Sequence, residues 1–253
     1  MMKAVFVAAA AAMLSIAVSA QAAPLRVCTT DWPPFTMTDT VSKAVTGTHT
    51  ELTAAAFKKA GYDVQIDSLA WERCLKDVET GDYDAAYSAS FKDERAAYSI
   101  YPKRPLQTLS YVMVVRKGTK HGWDAAKDGA KLPQPIAAPR GYSITGDLKK
   151  MPGVTVEESA ITDSQNIQKL LAGRLETMAV EETVLKALIK RFDAADKIDV
   201  LQPPVVSGKN YFIIVSKKHG GSEAAASKLA GQLDAAIEQL DKEGFLANVS
   251  AKY

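Results

Sequence analysis

Only three histidines and two cysteines occur among the 253 residues of this chain. His49, His121 and His219 are scattered, and no group of His, Cys and Asp has the spacing of metal ligands, so the sequence offers no donor set for a bound metal. No nucleophile–base pair is legible either, and no cofactor is expected. An excess of one charge is also missing. The 31 basic and 29 acidic residues leave a net charge of +2 with the signs interspersed. That balance gives no polyanion footprint, and a nucleic-acid partner is not expected. A single long apolar run is present, Ala4 to Val18, and it is too short and too rich in alanine for a bilayer span.

That run sits behind Lys3 and ahead of Ala20-Gln21-Ala22, the order of a cleavable export signal. Cleavage is expected after Ala22 or Ala23, with Ala20 as the alternative, so residues 1–23 are set apart from the fold. Cys28 follows Leu25-Arg26-Val27 rather than a small residue at the cleavage point, which argues against a lipid anchor. An exported, unanchored chain stays near its cell only behind an outer membrane, and the periplasm is the expected compartment. There Cys28 and Cys74 invite a disulfide, the alternative being two buried thiols.

The remaining 230 or so residues suffice for one large domain or two modest ones. Leu25 to Thr29, Val64 to Leu69 and Asp84 to Ser88 read as strands, with helices over Glu51 to Ala60 and Trp71 to Val78 between them. Such βαβαβ alternation with short connections predicts a parallel sheet covered by helices. The pattern then recurs. Tyr111 to Arg116, Ile136 to Ala138, Val154 to Glu157 and Thr177 to Val180 read as strands, and Asp163 as the cap of a helix carrying Ile167, Leu170 and Leu171. Tyr211 to Ser216 is a further apolar strand, and Leu229, Leu233, Ile237 and Leu240 mark a long amphipathic helix. Two similar α/β lobes in one chain place ligand chemistry between them, beyond the carboxyl ends of the strands.

The segment Gly81 to Arg95 is the most telling. It reads as a turn, a short strand and a polar loop. Ser88 and Ser90 emerge where the strand stops, and Arg95 follows five residues later. Neutral donors beside one guanidinium fork make a receptor for a small carboxylate. The plainer alternative pairs Arg95 with Asp93 or Glu94 at the surface. Ser143 and Glu181 lie at equivalent tips of the second lobe, although Ser143 also suits a helix cap and Glu181 also suits a solvated position.

Trp32-Pro33-Pro34-Phe35, Trp71 with Leu75, Gly81-Asp82-Tyr83-Asp84 through Arg95, and Leu171-Ala172-Gly173-Arg174 through Glu182 together resemble the type II periplasmic solute-binding proteins of the polar-amino-acid (family 3) ABC transporter group. The resemblance spans about Leu25 to Tyr253. It implies a two-lobed α/β fold, each lobe a mostly parallel sheet flanked by helices, with the ligand cleft between lobes. It also implies two crossings, near Gln107 to Leu109 and near Pro204 to Val206. The lobes would then be 24–107 with 206–253, and 108–205.

By the same resemblance Trp32 closes over the ligand and Trp71 contacts its side chain, although each tryptophan also suits core packing. Ser88 and Ser90 would receive the ligand amine and carboxylate, Arg95 would clamp the carboxylate, and Ser143 would donate to it. An acid matching Glu181 would hold the amine; relatives mostly have aspartate there, and Glu182 competes for the role. A bridge between Cys28 and Cys74 is compatible with this arrangement. The segment Gly47-Thr48-His49-Thr50-Glu51-Leu52 departs from the family's signature, a glycine followed by an aromatic or large apolar residue and then an acid, keeping only the glycine, Glu51 and Leu52.

The expected function is capture of a small carboxylate-bearing solute, foremost an amino acid, by a monomer that hands it to the permease of an inner-membrane ABC importer. The alternatives are an exported cleft enzyme of the cyclohexadienyl dehydratase type, with Glu181 or Glu182 as general acid, and a module presenting ligand to a sensor or chemoreceptor.

Overall fold

A computed structural model describes residues 23–253. The expected export signal lies outside the described residues apart from Ala23. Among the described residues no helix is long and apolar enough to cross a membrane.

The first lobe opens with β1 (Leu25–Thr29), a short ribbon of β2 (Met37–Thr38) and β3 (Val45–Thr46), and then α1 (Thr48–Lys59), β4 (Val64–Ser68), α2 (Trp71–Thr80) and β5 (Ala85–Ser90). β1 pairs in parallel with both β4 and β5, as alternating strands and helices require. α1 begins three residues before the expected Glu51, because Gly47 turns the chain there. Its φ is +116°, and a Cβ would stand 2.4 Å from the Phe35 carbonyl oxygen. α2 buries Trp71, Cys74 and Val78 on one stripe and stops at Gly81 in the left-handed conformation. Cys28 of β1 and Cys74 of α2 are joined by a disulfide with Cα atoms 5.7 Å apart.

A single helical turn, α3 (Asp93–Ala96), and β6 (Ser99–Ile100) lead to the long strand β7 (Gln107–Arg116). The second lobe follows as β8 (Ile136–Ala137), α4 (Ser143–Lys149), β9 (Val156–Glu157), α5 (Asp163–Leu171), β10 (Thr177–Glu181) and α6 (Glu182–Phe192). β11 (Ile198–Ser216) returns to the first lobe, where α7 (Glu223–Lys242) and α8 (Phe245–Ser250) finish the chain. The expected strand Tyr211 to Ser216 is the last third of β11.

All the longer strands belong to one curled sheet in the order β4-β1-β5-β11-β7-β10-β8-β9, with β6 also on β11. β7 and β11 form the antiparallel ribbon between the lobes. Ile198–Leu201 pairs with Met113–Arg116, and Lys209–Tyr211 pairs with Gln107–Leu109. Between those two stretches the register shifts on either side of Val206. Extra residues on one strand bend it, so the sheet changes direction where it passes from one lobe to the other.

Leu52, Phe57, Leu229, Leu233 and Ile237 fill a core between α1, α7 and the sheet of the first lobe. A second core runs from the inner face of that lobe through Trp32, Tyr111 and Tyr211 into the second lobe. The two lobes therefore meet over apolar and aromatic side chains.

Candidate functional site

The site begins at an irregularity in β5. Phe212 of β11 faces Ala89 and Ile214 faces Ala86, so Tyr87 and Ser88 share one partner position and form a bulge. Ser88 takes φ 61°, a left-handed conformation that is strained for a residue with a Cβ. The bulge lets Ala86 and Ala89 enter the shared core while both Ser88 and Ser90 face the cavity between the lobes.

Arg95 lies in the turn after β5 and is only 1 % exposed. Its Nη1 donates to the Ser90 carbonyl at 2.9 Å, and its Nη2 donates across the cleft to the Gly141 carbonyl at 3.1 Å. Its guanidinium also sits 5.5 Å from the centre of the Trp71 ring. These partners leave the buried Nε–H free. The surface pairing of Arg95 with Asp93 or Glu94 is absent, since Glu94 binds Lys92 instead. Gly141 has φ +77°, and a Cβ there would press within 2.8 Å of the Glu72 side chain, so glycine lets the second lobe approach α2.

The cavity between the lobes is small, with a volume of about 20 Å³. Trp32, Trp71, Ser88, Ser90 and Arg95 line it from the first lobe, and Ser143, the first residue of α4, lines it from the second. Thr30, Tyr111, Tyr142 and Tyr211 complete the walls; their chemistry was not singled out in the sequence. Tyr111 and Tyr211 each begin or interrupt an apolar strand, a placement that suits an amphipathic ring whose hydroxyl must find a partner. Here the two hydroxyls bind each other at 2.6 Å. The Trp32 ring lies 5.1 Å from Tyr211 and meets Tyr142 edge-on at 6.3 Å.

Glu181 is the expected site residue that does not line the cavity. Its Oε2 accepts the Thr183 and Val184 backbone N–H groups at 2.7 and 2.8 Å, which caps α6. Burial still pushes this carboxyl up to about 7, against those hydrogen bonds. Glu182 is the first residue of α6.

Asp163 differs from expectation. The side chain of Thr162 caps α5 by accepting from the Gln165 backbone N–H, and this frees Asp163. Asp163 turns inward, is 3 % exposed, and its Oδ2 accepts the Trp32 indole N–H at 3.1 Å. Burial pushes its carboxyl up to about 7; the Trp32 hydrogen bond opposes that and the Glu181 charge adds to it.

His49 also emerges from the tertiary structure. Its Nε2 and Nδ1 lie 3.1 Å from the Gln107 side-chain oxygen and 3.0 Å from Ser88 Oγ. With Nε2–H donating to the Gln107 side-chain oxygen, Nδ1 accepts the Ser88 hydroxyl proton. Burial holds this imidazole down to about 4, so it is neutral at ordinary pH. The unusual His-containing segment after Gly47 thus acts on the site through Ser88. Among the described residues no group of three or more His, Cys, Asp and Glu is placed to hold a metal.

Two lobes joined by a bent antiparallel ribbon, with a polar-and-aromatic cavity between them, define the type II periplasmic binding-protein architecture. The chain belongs to the bacterial extracellular solute-binding proteins, family 3, whose sequence profile matches residues 25–253. No curated protein matches it in sequence. Among solved structures it is similar to an ancestral arginine-binding protein bound to arginine, with TM-score 0.77, 22 % identity and coverage of 91 % of this chain and 97 % of that one. It is also similar to the ancestral amino acid-binding protein AncCDT-1, a precursor of cyclohexadienyl dehydratase (TM-score 0.73, 19 % identity, 91 % and 94 % covered). A histidine kinase sensor domain with similarity to periplasmic binding proteins is a third such structure (TM-score 0.75, 16 % identity, 91 % and 95 % covered). At these identities the likeness is one of fold.

Proposed function

We propose that this chain is an exported receptor that captures a small α-amino acid by closure of its two lobes and delivers it to the permease of an inner-membrane ABC importer. The observation that carries this reading is the meeting, in one buried cavity, of the Arg95 guanidinium with its free Nε–H, the Ser88 and Ser90 hydroxyls, and Ser143 from the opposite lobe. Family membership supports a solute as the ligand. Trp32 and Trp71 supply apolar walls for the rest of the molecule.

The lobes are taken as 24–107 with 206–253, and 108–205, a division supported by the register shifts of β11 around Val206. Residues 1–23 serve as a cleaved signal, and the mature chain works in the periplasm as a monomer.

Charge-assisted hydrogen bonds contribute roughly 1.5–3 kcal/mol each, so three or four support micromolar binding, about −8 kcal/mol. A thermal-shift screen with the twenty amino acids, small carboxylates and polyamines tests the reading. A ligand at about 100 times its Kd should stabilise the protein by ~2.7 kcal/mol. Arg95→Ala should keep the circular dichroism of the fold and weaken the best ligand about 100-fold, through loss of ~3 kcal/mol of charged hydrogen bonds. Equal binding by Arg95→Ala would remove the carboxylate clamp from the site.

A second reading, a cyclohexadienyl dehydratase with a general acid, is favoured by the likeness in fold to AncCDT-1; Asp163 and Glu181, both pushed up to about 7 by burial, stand behind the cavity walls and would have to reach past them to act. Release of an aromatic product from a cyclohexadienyl carboxylic acid, followed by absorbance, would decide for it.

A further inference from the structure

Among the described residues, two charged side chains hold a buried polar atom without a partner: Arg95, through Nε, and Asp163, through Oδ1. The first is a cationic donor on one lobe and the second an acidic acceptor on the other. A buried carboxylate oxygen left unpaired is costly, and so is a buried guanidinium N–H. The pair therefore favours a ligand that brings an acceptor to Arg95 and a donor to Asp163.

Asp163, like Glu181, is not itself a wall of the cavity; it stands directly behind one. Its Oδ2 holds the indole N–H of Trp32, a cavity wall, at 3.1 Å. Two further walls, Tyr111 and Tyr142, feel its charge: burial first and then nearby negative charge, Asp163 included, push both phenols well above their usual range. Glu181 occupies the strand end where the resemblance places the amine acceptor. One methylene longer than aspartate, its side chain folds back onto the start of α6, where Oε2 takes two backbone N–H groups. The acid at the expected position spends one oxygen on its own helix, while the acid at the start of α5 has a fully buried oxygen without a partner.

We infer that Asp163, and not Glu181, receives the ammonium group of the ligand through Oδ1 while Trp32 retains Oδ2, so that the site selects an amino acid over the hydroxy acid of the same side chain. This deepens the amino-acid reading above and rests on it. A ligand with a hydroxyl in place of the ammonium brings no charge to Asp163, and sites built on a buried polar partner reject analogues that lack the matching group.

The test is calorimetric titration of the mature protein with the twenty L-amino acids, and then with the 2-hydroxy acid matching the best of them. Wild type should prefer the amino acid by at least tenfold. Asp163→Asn should weaken the amino acid tenfold or more, leave the hydroxy acid within about threefold and so erase the preference, while Glu181→Gln retains it. Should Asp163→Asn fold poorly, Asp163→Ser, which suits the first turn of a helix, replaces it with the same expectation. Loss of the preference in Glu181→Gln and its survival in Asp163→Asn would overturn the assignment and leave amino-acid binding standing. Absence of binding by all twenty amino acids would instead overturn both.

Discussion

At the scale of single residues, burial shifts three titratable groups that stand behind the walls of the site. Asp163 and Glu181 have ordinary values of 3.8 and 4.5 and are pushed up to about 7. Between those limits the native state binds more protons than the unfolded chain, so the stability they contribute is full at low pH and is lost as pH rises through about 7. His49 acts in the other direction. Held at about 4 against an ordinary 6.5, it contributes stability that is present above 6.5 and lost as pH falls toward 4. Asp163→Asn should remove one of the descending components. Its melting temperature relative to wild type should rise between pH 5 and pH 8, and a difference that stays flat would show that Asp163 is not raised in the native protein. The residue types at the site were legible: Ser88, Ser90, Arg95, Ser143, Trp32 and Trp71 all line the cavity. Asp163 was not, because Thr162-Asp163 offers two successive capping residues, and which of them caps is decided by the chain's path into α5.

At the scale of elements, the start of α2 carries Trp71, and the disulfide from Cys74 to Cys28 ties this helix to β1. The cross-link closes a loop of sequence separation 46. Chain-entropy arguments give such a loop about 4 kcal/mol, so the double variant Cys28→Ser with Cys74→Ser should lose stability of that order in chemical denaturation. A loss below about 1 kcal/mol would mean that the unfolded chain gains little freedom when the link is removed. Local sequence placed the strands and helices of the first lobe well, since period-2 and period-3.6 patterns and the glycine stops all agree there. Two features escaped it. The bulge at Tyr87–Ser88 depends on pairing with β11, more than a hundred residues away in sequence. The 19-residue length of β11 was hidden because Pro203-Pro204 reads as a break, whereas the strand survives by shifting register around it.

At the scale of the whole molecule, the contacts that bridge the lobes include Trp32 to Asp163, Arg95 to the Gly141 carbonyl, the Tyr111–Tyr211 hydroxyl pair, Lys209 to Asp147, and Arg140 to Glu72 at 3.2 Å. The last pair is more than half exposed on both sides and contributes at most about 1 kcal/mol. The first is buried and the second part-buried. Trp32→Phe keeps an aromatic ring but deletes the N–H donor, so the free protein should shift toward an open form with a larger radius of gyration by small-angle scattering, recovering when the best-binding amino acid is added. A radius unchanged by the substitution would sink this role for the Trp32–Asp163 bond. Taken alone, the sequence determined that this is a two-lobed α/β chain with Ser88, Ser90 and Arg95 gathered at one strand end, because periodicity, turn residues and the Gly81-to-Arg95 motif are local properties. Only the tertiary structure decided which acid holds the Trp32 indole, which hydroxyl meets His49 and how the lobes are bridged. These depend on burial and on partners distant in sequence, and no local pattern encodes them.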